Sequence, residues 1–211
     1  MRRRWIEILL LVTAIFILTA CGNEENKAEN KFAKGEREDQ VRRVLSFSGK
    51  YQKLAQSVRE LDEGSPIIVV GTKESEKQTI KRETKGSNVP TDFYTMGNVK
   101  IKKVDKDTTK KVVTGQTIQV LEDSVTNVEM DGESVDITID GYKKMEQGKD
   151  YILFLRKSTS GDNYVLTNAI LSKYPKRNVT TRSRFLNDNS AENSELKERY
   201  NQFYNEVRMK Y

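Results

Sequence analysis

Histidine is absent from this 211-residue chain, and cysteine occurs once, at Cys21. Without histidine there is no Ser-His-Asp or Cys-His nucleophile, no imidazole-ligated zinc and no imidazole proton shuttle. One cysteine cannot close an internal disulfide, and once Cys21 is otherwise engaged no thiol remains for nucleophilic chemistry. Long apolar runs are equally scarce, since only Trp5 to Leu18 qualifies, broken by Glu7 and Thr13. At about 14 residues it is short for a spanning helix, which needs about 20. With 36% hydrophobic and 32% charged residues, the remainder reads as a polar body with one core and not as a multi-span membrane protein.

Charge of a single sign is also lacking. The formal net charge is +6, but Arg2, Arg3 and Arg4 belong to the N-terminal leader, and beyond it both signs are interspersed. Such a mild excess favours contact with anionic lipid or an anionic polymer over a nucleic-acid groove.

What is present begins with an export signal: Arg2-Arg3-Arg4, the apolar run, then small residues before Cys21. Leu18-Thr19-Ala20-Cys21 resembles the lipobox of bacterial lipoproteins of the Gram-positive type. The resemblance implies a diacylglyceryl thioether on Cys21, cleavage of the preceding peptide bond, and a mature chain starting at that residue. Two acyl chains anchor stably where one binds only marginally, at about 0.8 kcal/mol per buried CH₂. An uncleaved N-terminal anchor is the competing reading. Residues 1–20 are thus expected as signal peptide and 21–40 as a lipidated, unfolded tether, too polar to bury a core. Its flexible reach is about 25 Å. The expected location is the cell membrane, on the extracytoplasmic face.

Tyr51, Leu54, Val58 and Leu61 recur at helical spacing and predict a helical lead-in over 41–64. Strand chemistry follows over 65–177. Ile67 to Val70 is a continuous β-branched run, Val99 to Val104 alternates, and further strands are expected at 117–121, 134–139, 150–155 and from Tyr164 to about Leu171. Turn residues punctuate them, so a small antiparallel barrel or sandwich of about five or six strands is expected. Over 178–211, a linker precedes a C-terminal helix whose stripe is Leu196, Tyr200, Phe203 and Val207, with Asn189 and Glu192 at capping-box spacing. The stripe suits docking on its own domain or on a partner.

The order of Val69-Val70-Gly71, Gly115 before Ile118-Gln119-Val120, Gly141-Tyr142, Gly148-Lys149-Asp150-Tyr151-Ile152-Leu153-Phe154-Leu155 and Tyr164-Val165-Leu166 is similar to that of OB-fold-like, netrin-like small barrels. These occur among secreted and lipid-anchored proteins of Gram-positive bacteria. The likeness covers about residues 65 to 175 and implies a five- to six-stranded OB-like barrel flanked by helices. Most of its matched positions are core apolars and turn glycines, which report fold and not function.

Several constellations carry candidate chemistry. Asp131, Glu133, Asp136 and Asp140 could gather around Ca²⁺, though their spacing is not that of an EF-hand and suits turn residues flanking a strand. Ser194 and Lys197 have Ser-x-x-Lys spacing without the Ser-Asp-Asn or Lys-Thr-Gly that accompany it in penicillin-recognising enzymes. The densest basic group includes Lys100 and Lys102, and with Tyr94 and Tyr164 as stacking aromatics it forms the candidate binding surface. No catalytic, cofactor or metal residue is assigned, and the one covalent group expected is the lipid on Cys21. The expected function is a non-catalytic binding module at the envelope, tethered to the membrane, with an envelope protein or anionic polymer as partner and no nucleic acid. An accessory or inhibitor-like role and a carboxylate- or Lys-dependent hydrolase are the alternatives.

Overall fold

The computed structural model describes residues 43–50, 53–81, 90–180, 184–186 and 194–211. The expected signal peptide, Leu18, Thr19, Ala20 and Cys21 of the lipobox, the tether, and the Asn189/Glu192 cap lie outside the described residues.

The apolar run after Pro66 opens a long strand, β2 (Ile67–Lys81), and the alternating segment after Pro90 forms its antiparallel partner β3 (Asp92–Asp107). Three further strands, β4 (Thr117–Glu122), β7 (Asp150–Lys157) and β8 (Tyr164–Leu166), complete a ring in the order β2-β3-β4-β8-β7 and back to β2. Four of its seams are antiparallel and one, β4 against β8, is parallel. A closed ring of an odd number of strands cannot alternate direction throughout, so the expectation of an antiparallel barrel is corrected at this seam. The arrangement is OB-like.

Ile67 to Val70 are all buried instead of alternating in and out. A strand reads as a continuous apolar run when both its faces are covered. Here the same core cluster includes Val58 and Leu61 of one helix and Tyr200, Phe203, Tyr204 and Val207 of another. A short strand β9 (Lys173–Pro175) adds outside the ring against β7, after a 3₁₀ turn at Ala169–Ser172. The strand expected from Tyr164 to Leu171 is thereby split.

A second sheet, in the order β1-β6-β5, comprises β1 (Arg43–Phe47), β5 (Ser124–Met130) and β6 (Glu133–Ile139). Asp131-Gly132, at φ of 54° and 81°, makes the left-handed turn between β5 and β6 that a two-residue hairpin requires. Its own small core holds Val125, Val128, Val135 and Ile137, with Phe47 and Phe93 packed on it at a ring separation of 5.9 Å.

The helical lead-in over 41–64 is corrected in part. Arg43–Phe47 is a strand, parallel to β6, and helix α1 covers only Val58–Gly64. Ser57 explains where α1 starts, because its hydroxyl accepts the Glu60 N–H at 3.1 Å and so caps an otherwise orphan donor. Just before it, the Ala55 N–H is tied to the Asn168 side chain at 2.9 Å, outside any helix. The C-terminal helix α2 (Ser194–Lys210) buries the expected Leu196, Tyr200, Phe203 and Val207 and adds Tyr204. It docks on its own domain, where Tyr200 stacks on Tyr174 of β9 at 4.7 Å. Among the described residues no helix is long and apolar enough to cross a membrane.

Gly71 lies at a register shift in β2, where a Cβ would stand 2.5 Å from Val99 Cγ1 and 3.1 Å from the Lys100 carbonyl oxygen. The carbonyl is backbone and cannot swing aside. Gly71→Ala is therefore expected to lower stability by about 1–3 kcal/mol, the range for overpacking, read as a lower urea midpoint; an unchanged midpoint would show that the β2–β3 seam yields freely.

Candidate functional site

The inward phase of β2 runs through Val69 and Gly71 to Lys73, and that of β4 through Ile118 and Val120 to Glu122. Each strand thus ends its buried face on a charge, and the charges are opposite. Lys73 and Glu122 are both 0% exposed, with Nζ 2.6 Å from Glu122 Oε1. Lys73 also donates to the Met145 carbonyl at 2.9 Å and contacts Glu76 Oε2 at 2.5 Å. Glu122 Oε2 accepts the Tyr142 hydroxyl at 3.0 Å and the Met145 N–H at 2.5 Å. Gly97 of β3 makes room, since a Cβ there would lie 3.0 Å from Glu122 Oε1 and 3.4 Å from Lys73 Cε.

Tyr142 links this pair to a second buried cation. The Lys173 ammonium sits 4.1 Å from the centre of the Tyr142 ring, with the Tyr151 ring at 5.7 Å, and donates to the Lys143 carbonyl. Burial pushes the Lys173 amine down to about 7; Glu122 opposes the shift, while Lys73 and Lys143 add to it. Burial and the adjacent Glu122 carboxylate hold the Tyr142 phenol well above its ordinary value.

Lys173 lines a cavity of about 220 Å³ bounded by the loop between β6 and β7, by β9 and the segment after it, and by Tyr200 of α2. Two carboxylates face the space, and both are engaged. Asp150 takes Lys102 Nζ on its two oxygens at 2.8 and 2.9 Å and the Thr72 hydroxyl at 2.6 Å. Burial works against it, yet these bonds hold the Asp150 carboxyl below the usual range. Glu146 pairs with Lys143 at 3.2 Å. Lys144, also on the wall, is paired with Glu76. The remaining cations are Lys149, Lys173, Arg177 and Arg184, and among the described residues none has a carboxylate within 4.0 Å. Arg184 is braced by Asn201 at 2.6 Å and by the Val179 carbonyl at 3.3 Å, its guanidinium 3.4 Å from the Tyr204 ring centre. Its Nε is buried without a hydrogen-bond partner.

The four residues of the sequence-derived surface do not converge. Lys100 and Lys102 are exposed on β3, and only Lys102 reaches the cavity, through Asp150. Tyr94 pairs with Thr79 near the other end of β3, roughly 20 Å from Lys100 at the rise of a strand. Tyr164 is 5% exposed, with Lys157 Nζ 4.7 Å from its ring centre. Of the acidic group, Asp131 forms the β5–β6 turn, Asp136 accepts the Asn127 N–H and Asp140 the Gly49 N–H. Among the described residues no group of three or more potential ligands is placed to hold a metal. The signal for Lys73 and Glu122 is the charge at an inward strand position; for Lys173, Arg177 and Arg184 it is the absence of any Asp or Glu over residues 163–187, while Lys149 comes from a separate segment with no such signal.

The fold and site thus define an OB-like barrel with a buried ion pair at its heart and a cationic cavity beside it. No protein-family model matches the chain, and the curated proteins include no match to it, so its role is read from the site.

Two outcomes follow from these buried cations. Lys73→Met leaves Glu122 buried without its counter-ion and is expected to cost about 3–5 kcal/mol in urea unfolding, whereas Lys73→Met with Glu122→Gln, which removes the orphan charge, recovers much of that; equal losses would mean the pair is not what the barrel depends on. For Lys173, the unfolded chain keeps its proton between about pH 7 and 10 while the folded chain releases it, so this group makes stability rise with pH across that window and adds no slope below it. Lys173→Met should abolish that rise, up to about 1.4 kcal/mol per pH unit. A stability difference between native and variant that stays constant with pH would show that Lys173 keeps its ordinary protonation.

Proposed function

We propose that this chain is a lipid-anchored extracytoplasmic binding module that engages an anionic partner, an acidic envelope protein or an anionic polymer, through the cationic cavity. The observation that carries the reading is the charge balance at the cavity: its carboxylates are paired, and Lys149, Lys173, Arg177 and Arg184 have no carboxylate within 4.0 Å among the described residues. Lys173 is buried and Arg184 half-buried; cations so placed without a close counter-ion are costly to keep, and an incoming anion offsets that cost, with the exposed Lys149 and Arg177 adding charge at the rim. The role is non-catalytic recruitment at the membrane surface. Leu18-Thr19-Ala20-Cys21 supports the anchor, and a tether of about 25 Å reach keeps the barrel close to the membrane.

Detergent phase partitioning with lipid labelling tests the anchor: the native chain is expected labelled and in the detergent phase, Cys21→Ala is expected unlabelled and enters the aqueous phase where its leader is otherwise cleaved, and a labelled Cys21→Ala chain sinks the assignment. Retention on immobilised poly-aspartate and polyphosphate tests the binding. Lys149→Gln with Arg177→Gln, both at exposed positions, should elute at lower salt than native from at least one matrix. Identical elution from both would remove the cavity from the function.

A further inference from the structure

The size, donor geometry and charge of the cavity narrow the partner's chemistry. At about 220 Å³ it lies below the about 300–1,000 Å³ of sites for drug-sized ligands, so it suits one compact group. Two of its basic groups are guanidinium forks, which match the oxygens of an oxyanion in a plane, Lys149 is a compact point charge, and the buried Lys173 amine is a donor whose protonated form an anion would favour. A carboxylate brings two oxygens and a single charge and would leave most of these donors unanswered. A phosphate brings three or four oxygens and up to two charges. Tyr151, Pro175 and Val179 contribute apolar wall, which lowers the local dielectric and strengthens each charged contact.

We propose that this cavity is a binding site for a single phosphate group, held by Lys173 from its buried side and by Arg177, Arg184 and Lys149 around it. The proposal rests on the reading of the chain as a binding module and names the ligand class of that same cavity. Arg184 is held on two sides, by Asn201 and Val179, and borders the cavity. Lys102 keeps Asp150 neutralised and so prevents a bare carboxylate from repelling the ligand. A lipid headgroup, a phosphate-bearing polymer and free phosphate share the recognised chemistry.

The test is calorimetric titration of the full chain in detergent with inorganic phosphate and, separately, with acetate. Saturable phosphate binding at least tenfold tighter than acetate is expected. It should weaken at least tenfold in the Lys149→Gln/Arg177→Gln variant and remain within twofold of native in Lys103→Gln, which lies on β3 and pairs with Asp105 away from the cavity wall. Absence of saturable phosphate binding, acetate binding of equal strength, or equal weakening by Lys103→Gln overturns the proposal. Because both substituted residues are exposed, the variant is checked for native urea unfolding, and Lys149→Gln alone serves if the double variant unfolds. Cavity-dependent retention on poly-aspartate without a preference for phosphate would overturn the ligand class and leave the binding module standing. The source is fixed by a second arm using a Cys21→Ala chain from which residues 1–20 have been removed. Arg177-dependent capture by phosphatidylglycerol vesicles assigns a lipid headgroup, and Arg177-dependent capture by polyphosphate alone assigns a polymer.

Discussion

The contact on which the rest of the domain depends is the buried pair of Lys73 and Glu122. Two charges removed from water cost several kcal/mol each, and their attraction offsets this only when the remaining donors and acceptors are also satisfied. Here they are. Lys73 meets Glu122, Glu76 and the Met145 carbonyl, and the second oxygen of Glu122 takes the Tyr142 hydroxyl and the Met145 N–H. One cluster therefore joins β2, β4 and the loop that leads from β6 to β7. Gly97 leaves space for it on β3. A barrel of this size could be closed with apolar side chains at lower cost, so what the pair adds is uniqueness of register: a slip of one residue in β2 or β4 would turn a charge outward and strand its partner.

The constraint reaches the cavity through Tyr142. Its hydroxyl is fixed by Glu122, and its ring supports the Lys173 ammonium, so the position of one buried cation is set by the counter-ion of the other. The backbone of Lys173 continues the chain of contacts, since its carbonyl accepts the Tyr200 hydroxyl at 2.9 Å. Tyr174, stacked between the sheet and α2, buries the junction. At the far end of α2, Asp62 of α1 collects Lys106, Lys210 and Tyr211, and these bonds hold its carboxyl down at about 2 against the opposing effect of burial. The helix is thus fastened at both ends, and the wall it lends to the cavity is a fixed one.

Local chemistry made much of the fold legible. The β-branched run at Ile67–Val70, the alternation at Val99–Val104, the Gly-Lys-x-Tyr strand and the aromatic stripe of the last helix each carry their own period, and each is found where it was expected. What was hidden depends on partners distant in sequence or on broken periods. β5 loses its alternation at Asn127, whose φ of 57° marks a bulge where the register with β6 shifts between Val125 and Val128. β1 is a strand only because β6 offers it an edge, and β9 has too few residues for a period to show. The parallel β4–β8 seam follows from ring closure, which no single segment contains.

The site was less legible than the fold for an electrostatic reason. A cluster of lysines along β3 stands out in the sequence, yet Lys102 is spent on Asp150 and Lys106 on Asp62. Counter-charges lie far away along the chain, and only the folded arrangement decides which cations are left over. Lys149 lies in a stretch where both signs occur, whereas Lys173, Arg177 and Arg184 belong to residues 163–187, which hold five basic residues and no Asp or Glu. That stretch is a charge signal in the sequence, but which of its cations share one cavity with Lys149 is decided only by the fold and by the pairing of the nearby carboxylates. In a chain whose composition is almost balanced, it is the pairing of charges and not their number that makes a surface attractive to an anion, and that pairing is fixed by the same contacts that close the barrel.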